Sequence, residues 1–203
     1  VEMAAADHDE GVGVVESCGG GFLARRLLGK RVAIASGPPA GCWQEFCIVD
    51  AKKAVAMPDD IPDQQAAMFF VNPLTAYVLI KEVLRVRAGQ WVLISAAGSA
   101  LGKSIVRMAR RDGFRTICVV RSNSNSAELA ALGADAVIET DKQDLCGEVF
   151  RITAGQGVQH ALDCIGGPLA NEMVQCLGLN GQLVIYGTLS GTPMQIPGRD
   201  LMM

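Results

Sequence analysis

Trp91-Val-Leu-Ile-Ser-Ala-Ala-Gly-Ser-Ala-Leu-Gly102 is an apolar run that breaks into small residues and resumes with helical spacing. A strand, a tight turn and a helix in that order bring backbone N–H groups to a helix N-terminus. There the dipole favours negative charge, and a dinucleotide's pyrophosphate can sit. The match to G-x-G-x-x-G is incomplete, because with Gly102 as the last glycine, Ala97 and Ser99 stand at the first two. Small residues still permit close approach to a phosphate, although the same turn also occurs where nothing binds. Gln90 to Ala96 reads as the strand. Leu101 to Asp112 reads as the helix, with Leu101, Ile105, Met108 and Ala109 apolar and Arg107, Arg110 and Arg111 outward. Function is therefore sought in nucleotide redox chemistry.

Downstream, strands and helices alternate with short turns, the pattern of a doubly wound parallel sheet in an α/β fold. Strands are expected at Trp91 to Ala96, Thr116 to Val120, Ala136 to Ile138, His160 to Cys164 and Leu183 to Tyr186. Helices are expected near Leu101 to Asp112, Ser124 to Leu132, Leu145 to Thr153 and Leu169 to Leu177, with Gly113, Gly133, Gly178 and Gly181 marking their ends. Five strands in this order predict a 3-2-1-4-5 sheet whose ligand crevice lies at the carboxyl ends of the first and fourth.

Upstream, short β-like runs at Gly13 to Glu16, Arg31 to Ala35 and Trp43 to Val49 read as part of a small β-rich domain. A connector rich in Pro and Asp, Met57 to Asp63, precedes a helical stretch, Gln64 to Leu84, interrupted at Asn72-Pro73. The domain junction is placed there, giving domains 1–71 and 72–203. A net charge of −3 offers no electrostatic case for nucleic acid or an anionic membrane. The longest apolar stretch, Ala66 to Ile80, is too short to span a bilayer, and Val1 to Glu10 lacks the apolar region of a signal peptide. Seven cysteines without paired spacing suit reduced thiols in a cytoplasmic protein.

Several segments in order resemble the medium-chain dehydrogenase/reductases, and specifically their zinc-free quinone reductase and enoyl thioester reductase branches. They are Glu10-Gly-Val-Gly-Val-Val-Glu16, Gly29-Lys-Arg-Val-Ala33, Trp43-Gln-Glu-Phe46, Val71-Asn-Pro-Leu-Thr-Ala-Tyr77, Ala96 to Gly102, Leu132-Gly-Ala-Asp-Ala-Val137, Asp163-Cys-Ile-Gly-Gly167 and Gly181-Gln-Leu-Val-Ile-Tyr-Gly187. The resemblance implies a Rossmann domain beside a partial GroES-like domain, a small-molecule substrate and a homodimer. Two departures stand out. Family members usually carry a longer barrel segment before the glycine motif and a further strand and barrel return after Met203. The zinc-binding Gly-His-Glu triplet is replaced by His8, Asp9 and Glu10, with His8 one place out of register and no Cys-x-x-Cys cluster elsewhere, so no metal is expected.

Cofactor choice falls to the end of the second strand, where an acidic residue takes the ribose of NAD and Arg accommodates a 2′-phosphate. Arg121, Ser122 and Asn123 stand there, with no carboxylate before Glu128, which favours NADPH over NADH. Arg121 is otherwise a solvated loop charge. Gly98, Ser99, Ala100, Leu101 and Gly102 are expected at the pyrophosphate, Gly102 also allowing close packing of the helix. Topology places Cys164, Ile165, Gly166 and Gly167, and Tyr186, Gly187, Thr188 and Leu189, at the crevice, and the resemblance puts the latter loop at the nicotinamide. Cys164 has no neighbouring base and reads as a small apolar residue, and His160 as structural. By resemblance Thr75, with Asn72 on the same segment, positions the nicotinamide. Tyr77 is either a proton donor or a packing residue. The expected reaction is hydride transfer from NADPH to a quinone, an enone or another activated double bond, with a 2-enoyl thioester reductase the nearest alternative. A zinc alcohol dehydrogenase is a weaker one, and an NADPH-binding protein without turnover is the reading from another class.

Overall fold

The computed structural model of the chain describes residues 4–5, 10–36 and 41–201. Two compact units divide it, Val1–Thr75 and Ala76–Met203. In the first, β1 (Ala4–Ala5), β2 (Glu10–Val14), β3 (Arg31–Ala35) and β4 (Ala54–Ala56) form an antiparallel sheet in that order. Side chains alternate across a strand. Val12 and its partner Ala33 accordingly bury with Met57, Ala66 and Ala67 on one face, while Val32 and Ile34 bury with Leu27 and Cys42 on the other. Leu27 comes from α1 (Phe22–Leu27).

Trp43 to Val49 forms no strand, contrary to the sequence reading. Only Cys47 and Val49 of that run pack against the core, while Ile48 is fully exposed and Phe46 is 57% exposed. Apolar alternation alone does not make a strand, which also needs a neighbouring strand to pair with. The stretch expected as one interrupted helix is instead three pieces: α2 (Asp63–Ala66), α3 (Val71–Tyr77) and a π-helical turn, Val78–Val83. Pro73 lies in the first turn of α3, where its missing N–H leaves no hydrogen bond unmade, so it begins a helix and does not break one. The α3 start is held by Glu10, 1% exposed, whose Oε2 accepts the amides of Phe70 and Val71 at 2.9 Å each. Arg31 fixes the connector, donating to Asp63 and to the carbonyls of Pro58 and Ile61.

The second unit holds β5 (Trp91–Ile94), β6 (Arg115–Val120), β7 (Ala136–Glu139), β8 (Val158–Asp163) and β9 (Leu177–Ile185). They pair in parallel in the order β7-β6-β5-β8-β9, the 3-2-1-4-5 arrangement of a Rossmann sheet. The helices between them are α4 (Ala100–Asp112), α5 (Ser126–Leu132), α6 (Leu145–Ile152) and α7 (Gly167–Gln175). Val92 and Ile94 of β5 pack with Leu101, Ile105 and Leu129 from α4 and α5. Leu93 between them packs with Leu145, Val149 and Met173 from α6 and α7. Helices thus cover both faces, and a continuous apolar strand is buried on each side, as a parallel sheet requires.

β9 differs most from its expected span. Gly178 and Gly181 do not end a helix but lie in an irregular start of the strand, where the register with β8 shifts between Val158 and His160. Asn180 there has φ 58°, and a Cβ on Gly178 would come within 2.4 Å of the Gln156 carbonyl. The glycines serve a close strand-to-strand approach.

Candidate functional site

The turn after β5 is built by small residues under tight packing. Ala96 has φ 45°, a left-handed conformation unusual for a residue with a Cβ. Ser99 caps α4, its Oγ accepting the Gly102 amide at 3.1 Å, and the amides of Ala100 and Leu101 in the first turn have no intrahelical acceptor. A Cβ on Gly102 would lie 2.4 Å from the Ala97 carbonyl, so the glycine lets α4 close on the turn itself. A Cβ on Gly98 would strike the Asn125 side chain at 2.5 Å, so that glycine admits the loop after β6.

The loop after β8 is organised by one buried carboxylate. Asp163, fully buried, accepts the Ser95 hydroxyl at 2.5 Å, the Ile165 amide at 3.0 Å and the Gly166 amide at 2.7 Å. Ser95 Oγ in turn accepts the Cys164 amide at 3.1 Å. The first strand's end is thereby tied to the fourth's. Backbone bonds then join this loop to the one after β9: Tyr186 N–H to Asp163, Leu189 N–H to Cys164 and Ser190 N–H to Ile165. Gly187 fits because a Cβ would meet the Cys164 carbonyl at 2.9 Å, and Gly166 has φ 73°.

These loops border a cleft of about 1050 Å³ at the carboxyl ends of β5, β6 and β8. Of the residues expected to bind cofactor, Gly98, Ser99, Arg121, Ser122 and Ile165 line it. Arg121 is exposed, and none of the ion pairs among the described residues engages its guanidinium. A charge-assisted donor and a helix N-terminus thus open on one space, the combination an anionic dinucleotide requires.

The zinc-binding dehydrogenase family matches residues 100–203, just over half of the chain. The chain belongs to this family. Within the medium-chain dehydrogenase/reductase superfamily it falls in the quinone and enoyl reductase-like branch. It is 30% identical to the mitochondrial enoyl-[acyl-carrier-protein] reductase of Dictyostelium discoideum, over 99% of this chain and 58% of that protein. It is similar to the crystal structure of a 2-haloacrylate reductase, with 30% identity and TM-score 0.78 over 95% of this chain and 60% of that one. It is also similar to the Escherichia coli quinone oxidoreductase solved with NADPH, with 26% identity and TM-score 0.84 over 96% and 59%. The chain therefore spans less than two thirds of the proteins it matches.

Other expected site residues lie apart from the lining. Ala100, Leu101 and Gly102 form the first turn of α4, with Leu101 and Gly102 buried. Asn123 opens a 3₁₀ turn, Asn123–Asn125, of which Ser124 and Asn125 face the cleft. Tyr186 packs against the α4-side core, and burial pushes its hydroxyl above the usual phenol value. Thr188 is exposed and Cys164 buried. On α3, Asn72 and Thr75 are three residues apart and share a face, both half-buried. Tyr77, two residues beyond Thr75, projects from roughly the opposite side and is 48% exposed. His160 is buried in β8, its Nε2 3.2 Å from Gln90 Oε1, and burial lowers its pKa.

Ala96 and Leu189, at the ends of the two loops the sequence placed here, also line the cleft, and sequence reading missed Val119, Val120, Ser124, Asn125, Thr140, Leu169, Glu172 and Ser190 in its wall. Asn125 carried a readable signal, the polar run after Arg121. Leu169 and Glu172 reach the cleft only through the placement of α7. Among the described residues no group of three or more His, Cys, Asp and Glu could hold a metal ion. His8 and Asp9 lie outside the described residues. No helix among the described residues is long and apolar enough to cross a membrane.

Proposed function

We propose that this chain belongs to an NADPH-dependent oxidoreductase that reduces a quinone or an activated carbon–carbon double bond. The observation that carries the reading is the shared cleft of Ser99, at the start of α4, with Arg121 and Ser122, at the end of β6. The amides of the first turn of α4, with Gly98 and Ser99 beside them, hold the pyrophosphate. Arg121, helped by Ser122 and Asn123, holds the 2′-phosphate, where a carboxylate would instead select NADH. Bound NADPH supplies the hydride.

The linked loops at Cys164 to Gly166 and Tyr186 to Thr188 are assigned to the nicotinamide end, which the Asp163 and Ser95 bonds keep rigid. Thr75, with Asn72, is the proposed positioning residue. Tyr77 is the candidate proton donor to the enolate left after hydride addition. The E. coli relative's NADPH complex supports the cofactor, and the quinone oxidoreductase and 2-haloacrylate reductase structures support the two substrate classes. The curated match to an enoyl-[acyl-carrier-protein] reductase favours a second reading, reduction of a trans-2-enoyl thioester. A zinc-independent, cytoplasmic homodimer completes the proposal. Metal analysis, fractionation and sedimentation test those three properties.

A panel of quinones, enones and enoyl thioesters, assayed by NADPH oxidation, tests the function. Turnover with a quinone or enone supports the first reading, and turnover with thioesters alone supports the second. NADPH binding without turnover of any class favours a non-catalytic nucleotide-binding protein. If Tyr77 is the donor, Tyr77→Phe lowers kcat for double-bond substrates roughly a hundredfold or more. An unchanged kcat assigns the proton to water.

A further inference from the structure

Two cysteines outside the cleft stand in contact. Cys146 lies in the first turn of α6, whose start is capped by Asp144, and Cys176 ends α7. Their sulfurs are 3.3 Å apart, and both thiols lie against one acceptor, the Glu172 carbonyl, at 3.4 and 3.2 Å. Cys176 is fully buried in the core between the sheet and α6 and α7, while Cys146 is only half-buried. We propose that Cys146 and Cys176 form a reversible thiol–disulfide modification site, Cys146 being the group that meets a small-molecule disulfide and Cys176 the resolving thiol.

Chemical asymmetry supports the order of events. The hydrogen bond from Cys176 holds the Cys146 thiol below its usual value, against partial burial and the Asp144 and Glu172 carboxylates, and the same contact with burial pushes Cys176 up. Cys118, by contrast, is buried, and burial pushes its thiol up to about 12, which leaves it inert. With glutathione disulfide as oxidant, the Cys146 thiolate attacks one sulfur of the S–S bond, forming a mixed disulfide and releasing one glutathione thiolate. That step removes the negative partner that held Cys176 protonated. Cys176 gives up its proton to solvent or the released thiolate and attacks Cys146 Sγ, releasing the second glutathione. Two protein thiols are oxidised and one glutathione disulfide is reduced to two thiols. The bridge pins the start of α6 to the end of α7, whose Leu169 and Glu172 line the cleft.

The test is equilibration of the full chain in glutathione redox buffers, acid quenching, alkylation and mapping after digestion with trypsin and a Glu-specific protease. These cuts isolate Cys146 in residues 143–148 and Cys176 in residues 173–199, away from Cys164. The expected result is one linked pair of these two peptides, lost on dithiothreitol treatment and absent in Cys146→Ser. Cys176→Ser is expected to retain glutathione on Cys146 as a stable mixed disulfide. Unreacted thiols, glutathione remaining on wild-type Cys146, or bridges from Cys146 to another cysteine would each overturn the proposal.

Discussion

Ala96 occupies a backbone conformation that L-residues adopt at a penalty of about 1–2 kcal/mol, and it does so in the wall of the cleft. Glycine removes that penalty but gives back part of it as unfolded-state entropy. Ala96→Gly should therefore stabilise the chain by about 0.5–1 kcal/mol, read as a higher midpoint in urea at unchanged slope. A destabilised variant would mean that the methyl group packs usefully in the turn. Ser95 is the opposite case. Its hydroxyl bonds to a fully buried carboxylate and accepts the Cys164 amide, so Ser95→Ala leaves Asp163 short of one donor and an amide short of its acceptor. The expected loss is about 1.5–3 kcal/mol in denaturant unfolding, with wild-type slope. A loss below about 0.5 kcal/mol would show that water replaces the hydroxyl.

At the scale of elements, the π-helical turn is anchored to the end of α4 by Lys81 and Asp112, 2.8 Å apart. The neighbouring Arg111 guanidinium, and then Lys81, hold the Asp112 carboxyl well below the usual carboxylate range. A depressed carboxylate contributes stability above its unfolded value and loses it as pH falls through the folded value. The contribution should be complete above about pH 5 and shrink progressively below about pH 4. Asp112→Asn should lower stability at neutral pH by no more than about 1 kcal/mol, and the gap from wild type should narrow on acidification. A pH-independent gap in thermal midpoint would contradict the assignment. The strand order was readable because β5 to β9 alternate with helices, and apolar continuity such as Val92 to Ile94 marks a strand buried on both faces. Trp43 to Val49 was not readable, because whether an alternating segment becomes a strand depends on a neighbour to pair with. The same limit hid the start of β9: Gly178 signals a chain reversal and a close backbone approach equally well, and only the Gln156 carbonyl decides between them.

At the scale of the whole molecule, topology decides how much of the candidate site was legible. In the Rossmann unit, Gly98, Ser99, Arg121, Ser122 and Ile165 could be named from the sequence as cleft residues, because Rossmann topology brings the ends of these strands to one crevice. Leu169, Glu172 and Ser190 could not be named, since they depend on helix placement and on the hydrogen bonds that draw the loop after β9 against Ile165. The proposed function stands on Arg121 reading a 2′-phosphate in the cleft that α4 opens. Parallel titration of NADPH and NADH into wild type and Arg121→Ala, at two salt concentrations, tests that role. Wild type should prefer NADPH more strongly at low salt. The variant should lose roughly tenfold to a hundredfold in NADPH affinity with NADH affinity unchanged. Equal loss for both nucleotides, or a wild-type preference for NADH, would contradict it.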